Sequence, residues 1–114
     1  MKDLDYLAAV MNPEFFERDG CIFFAAHFSE EVYKSGWQKL VHLDREKTES
    51  TLNHVHLADL VKDAQAQRHL GEKIKAIWEE RLSRFFPGRK CTVTLAMSQE
   101  GWTLELSSHP LPPT

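Results

Sequence analysis

Apolar residues recur at Leu4, Leu7, Ala8 and Met11, the spacing of one face of a short helix. Asn12-Pro13-Glu14 then reads as a second helix start. Asn caps well, Pro suits the first helical position, and Glu favours the positive helix end. That helix would anchor Phe15 and Phe16 and end at Asp19-Gly20. Residues 21–28 are apolar on both faces, as in a central strand, with a buried helix as the competing reading. Ser29-Glu30-Glu31 predicts a capped helix start, giving one or two turns closed by Gly36.

Residues 37–44 and 51–58 alternate apolar and polar positions around the polar stretch 45–50, predicting an antiparallel hairpin with a longer loop. From about Asp59 the period becomes helical, with Leu60, Val61, Ala64, Gly71, Ile74, Trp78, Leu82 and Phe85 on one stripe. A straight helix over residues 59–86 would be about 42 Å long, too long for a domain with a radius of gyration of about 13 Å. A break or bend around His69-Leu70-Gly71 is therefore expected. Phe86-Pro87-Gly88 stops the helix. Residues 90–97 and 102–107 alternate on either side of Ser98-Gln99-Glu100-Gly101, a second hairpin.

These elements predict an α+β fold: an antiparallel sheet built from hairpins, a long bent helix packed on one face, and a short N-terminal helical segment. Residues 1–109 read as a single domain and residues 110–114 as a frayed tail. A length of 114 residues with 42% hydrophobic and 27% charged side chains supports a packed core and argues against disorder. No apolar run approaches the roughly 20 residues of a membrane span, and the acidic N-terminus lacks the features of a signal peptide. The two cysteines, Cys21 and Cys91, read as reduced and buried in a cytoplasmic protein. A net charge of −3 argues against nucleic acid as a partner. The N-terminal half is acidic and the C-terminal half basic, which favours attraction within the fold.

The candidate chemistry centres on Leu52-Asn53-His54-Val55-His56. In a strand, His54 and His56 project to one face. Matching the apolar faces of the first expected hairpin adds His42 and Asp44 to that face. Three imidazoles suit zinc with an open position for water, and Asp44 would orient His42. The competing structural reading is a half-exposed polar face, where imidazoles pack their rings and wet their nitrogens. The segment His54-Val55-His56-Leu57-Ala58-Asp59 resembles the His-x-His-x-Asp-His metal motif of the metallo-β-lactamase family in its first two histidines. The aspartate comes one position late and the last histidine is missing, so no role carries over.

Cys21 and His27 share strand parity but lie about 20 Å apart along a strand, too far for a nucleophile pair. Cys91 follows Arg89 and Lys90, and packing is the preferred role over an activated thiol. Arg81, Arg84, Arg89 and Lys90 surround Phe85 and Phe86, a pattern that helix-end electrostatics and core packing explain. Leu70 and Ile77 widen the apolar helix surface toward either the second hairpin or a homodimer contact. The leading expectation is a small soluble cytoplasmic binding or interaction domain, with a protein partner or self-association. The alternative is a metal-binding protein, with hydrolysis as the activity such a site would suit, using zinc at His42, His54 and His56.

Overall fold

The computed structural model describes residues 2–110, with helices and antiparallel sheets in an α+β arrangement. Helix α1 (Lys2–Met11) forms where the apolar spacing predicts it. The helix expected after Asn12-Pro13 does not form. Phe15–Arg18 is strand β1, paired antiparallel with β2 (Cys21–Phe24). Asp19 and Gly20 both take positive φ, 54° and 80°, as a two-residue type I′ turn requires. Cross-strand ring pairs Phe15–Phe24 and Phe16–Phe23, at 5.9 and 5.8 Å, reward the hairpin. Aspartate-glycine turn chemistry with aromatic pairing thus overrides the helix-start signal.

Strand β2 is shorter than expected, because Ala25–His27 turns into a 3-10 helix. All four of its residues are buried, and they alternate between two apolar clusters. Ile22 and Phe24 enter the main core, whereas Cys21 and Phe23 join a second cluster with Tyr33 and Val41. Burial on both faces is therefore real, although β2 belongs to a two-stranded sheet.

Ser29 caps α2 (Glu30–Val32) by accepting from the Val32 N–H at 3.4 Å. Gly36 does not close this helix. It continues through a π-helical stretch (Tyr33–Trp37) into α3 (Gln38–Leu40). The first expected hairpin is absent for the same reason. Tyr33, Trp37 and Val41 recur every fourth residue, a spacing that fits both strand and helix, and burial against the second cluster selects the helix. Asp44 then caps α4 (Arg45–Leu52), accepting from the Lys47 N–H at 3.0 Å.

The larger sheet has the order β3-β5-β4, comprising β3 (His54–His56), β4 (Arg89–Ser98) and β5 (Gly101–Pro110). The β4–β5 hairpin forms as expected, and Pro110 belongs to it; residues 111–114 lie outside the described residues. Helix α5 (Ala64–Phe85) covers one sheet face, against Val93, Leu104, Leu106 and Val55. It runs through Gly71 without a break. The length problem is solved at the other end, where Asp63 caps the helix and Leu57–Asp59 forms a separate 3-10 turn. Twenty-two residues make a helix of about 33 Å, within the 41 Å long dimension of the molecule. Leu70 and Ile77 pack against the main core. Phe85, expected on the buried stripe, is 62% exposed, and Phe86 packs inward in its place. Among the described residues, no helix is long and apolar enough to cross a membrane.

Gly71 sets how closely α5 approaches β4. A Cβ there would lie 2.6 Å from Leu95 Cδ1. Gly71→Val should therefore cost about 1–3 kcal/mol by overpacking. Urea unfolding checks this, and an unchanged midpoint would mean that Leu95 yields freely.

Side chains of α4 join the two sheets. Asn53, just past the helix, donates to the Ile22 carbonyl and accepts from the Phe24 N–H, both at 2.7 Å. Glu49, 1% exposed, accepts from the Ile22 N–H at 2.6 Å and from both the N–H and the hydroxyl of Ser108. An amide and a carboxylate thus occupy the free edge of β2, where another strand would otherwise be needed.

Candidate histidine site on the open sheet face

Pleating separates the three-stranded sheet into a core face and an outward face. Register places His54 opposite Glu105 and His56 opposite Thr103, with Thr94 and Ala96 continuing the outward face across β4. Val55, between the histidines, pairs with Leu104, and both are fully buried. That apolar pair commits β3 to one register and turns both imidazoles outward.

The two rings lie 4.5 Å apart between centroids, at 66°. His54 Nδ1 is 2.8 Å from Glu105 Oε1, a hydrogen bond, and His56 Nδ1 is 4.0 Å from Glu100 Oε2. A shallow depression lined by His54, His56, Ser98, Gln99, Glu100, Thr103 and Glu105 surrounds them and extends toward Thr51. With Nδ1–H donated to Glu105, the His54 Nε2 keeps its lone pair, the tautomer that the hydrogen bond selects.

A third histidine lies near this pair, but it is His27. Its Nε2 is 2.6 Å from Tyr6 Oη, and the two rings are stacked at 5.4 Å. Burial holds the His27 imidazole below its ordinary range, against the opposing influence of the His54 backbone and Asp59. Burial, reinforced by Asp59, pushes the Tyr6 phenol up to about 12. Near neutral pH both groups are therefore uncharged, and the phenol O–H donates to His27 Nε2 in the tautomer that carries its proton on Nδ1.

His42 does not share this face. It follows α3 in an exposed turn, and Asp44 spends its carboxylate on the α4 cap. The expected grouping of His42, Asp44, His54 and His56 fails because β3 pairs with β5 instead of residues 37–44. Of that grouping, the structure brings together His54 and His56. Among the described residues, no three His, Cys, Asp or Glu side chains form a ready metal cage. Sequence reasoning missed Glu105, Glu100, Tyr6 and His27. Alternation along residues 102–107 puts Thr103 and Glu105 on one face, but nothing local to that segment indicates that β3 is the neighbour.

The cysteines occupy packing positions. Burial, with Glu49 nearby, pushes the Cys21 thiol up to about 12, and burial raises Cys91 despite Arg89. The arginines of the basic segment are engaged within the fold. Arg81 donates to the Pro13 carbonyl, Arg84 pairs with Glu80, and Arg89 donates to the Gly20 carbonyl and Ser108 Oγ.

In comparisons with protein families, curated proteins and solved structures, no significant match to this chain is found.

Proposed function

We propose that this chain is a small cytoplasmic binding domain whose ligand surface is the outward face of the three-stranded sheet, at His54, His56 and Glu105. The carrying observation is the pair of imidazoles at 4.5 Å, set side by side on a strand whose register is held by buried Val55 and Leu104. The other sheet face is committed to α5, so this face is the one that presents polar groups outward. The depression around the rings is lined by the carboxylates of Glu100 and Glu105, while the Ser98 and Thr103 hydroxyls bond to backbone groups of the sheet.

Nitrogen-15 NMR of the full chain, titrated with fragments bearing carboxylate, phosphate, amine or amide groups, tests the reading. Shifts should map onto His54, His56, Thr103 and Glu105. Saturable shifts clustered on the α5 surface, or no saturable shifts on the β3–β5 face, would overturn it.

A further inference from the structure

We infer that His54 and His56 form a chelate for a divalent transition-metal ion of the zinc type, bound through their Nε2 atoms. This rests on the binding surface proposed above and names its ligand class. A strand presents residues i and i+2 on one face, and the two imidazole rings lie 4.5 Å apart between centroids, close enough to share one ion. Imidazole nitrogen suits zinc, copper and nickel, whereas magnesium and calcium prefer oxygen.

The surroundings of the rings favour Nε2 as the ligand atom. His54 gives its Nδ1–H to Glu105 at 2.8 Å, and His56 turns Nδ1 toward Glu100 at 4.0 Å. A carboxylate behind a ligating histidine fixes the tautomer, holds the ring and raises the basicity of the other nitrogen. Glu105 is itself fixed by strand pairing, standing opposite both His54 and Thr94. His27, the nearby third imidazole, has its Nε2 hydrogen-bonded to Tyr6 and does not join the chelate. Two protein nitrogens leave the remaining positions of a tetrahedral ion to water or to donor atoms of an incoming ligand. The site is thus an open, exchangeable one, unlike a closed structural zinc cage.

Isothermal titration of the untagged full chain with zinc chloride tests the inference. One ion per chain is expected, with no heat from magnesium. His54→Gln and His56→Gln should each weaken zinc by more than about tenfold, and Glu105→Gln by about 10–100-fold with unchanged stoichiometry. His42→Gln should leave the affinity unchanged. NMR spectra of each variant establish that the fold is retained, and zinc should shift resonances around β3. No saturable zinc binding, or wild-type affinity in the folded double variant H54Q/H56Q, overturns the inference. If zinc fails while fragments still shift the β3–β5 face, the chelate alone is wrong; if both fail, the binding surface falls with it.

Discussion

Replacing Glu49 with leucine should destabilise the protein by roughly 3–5 kcal/mol, the usual cost of removing one partner from a buried charged group. The Glu49 carboxylate receives three donors, two of them backbone N–H groups from different sheets, Ile22 and Ser108. Leucine fills the volume but leaves both N–H groups buried without acceptors, at about 1–3 kcal/mol each. It also removes the charge facing Arg89, whose guanidinium shares the Ser108 hydroxyl at 2.7 Å. Urea unfolding measures the loss. A change below about 1 kcal/mol would mean that water replaces the carboxylate and that the seam contributes little.

The same residue carries a pH signature. Burial pushes the Glu49 carboxyl above its ordinary value of 4.5, against the opposing pull of its hydrogen bonds and Arg89. A raised value in the folded state means that the native protein holds this proton more tightly than the unfolded chain. The resulting stabilisation is full below pH 4.5 and is lost as pH rises through the folded-state value. Glutamine does not titrate, so the stability of wild type relative to Glu49→Gln should fall as pH rises above 4.5. A difference that stays flat up to pH 8 would contradict a raised carboxyl.

Trp78→Ala should cost about 3–5 kcal/mol, the range for deleting a large aromatic from a packed core. Trp78 is fully buried, meets Phe15 edge-on at 5.1 Å, and packs against Phe24 at 4.8 Å. Its indole N–H donates to the Val10 carbonyl at 2.9 Å, so one side chain connects α5, the first hairpin and the end of α1. Trp78→Phe keeps most of the ring contact and leaves one carbonyl unpaired, so it should cost about 1–3 kcal/mol. Thermal and urea unfolding of both variants separate the two contributions. Equal losses would assign the effect to the hydrogen bond and not to packing. Against a total stability of about 5–15 kcal/mol, either large loss leaves a marginal fold.

Elements with a single local solution were legible from sequence. Leu4, Leu7, Ala8 and Met11 repeat only as a helix does, and residues 90–97 and 102–107 alternate around a clear turn, although the hairpin runs on to Pro110. Phe86-Pro87-Gly88 ends α5 because proline cannot continue it. Segments whose spacing suited two periods were misread. Residues 37–44 alternate like a strand, yet Tyr33, Trp37 and Val41 are also helical neighbours, and only the second cluster decides between them. Phe15 and Phe16 stood after a good helix start, but their ring partners, Phe24 and Phe23, sit across a turn whose type is set by Asp19-Gly20.

The site divides along the same line. That His54 and His56 share a face follows from sequence alone, since extended backbone alternates side chains whichever strand lies beside it. Which groups face them was settled in three dimensions, when Val55 buried itself against Leu104, more than forty residues away. That choice brought Glu105 to His54, left His42 in another element, and set the two half-buried rings on the face that α5 does not cover. Local periodicity assigns side chains to faces; partners are chosen by which pairing removes the most apolar surface from water.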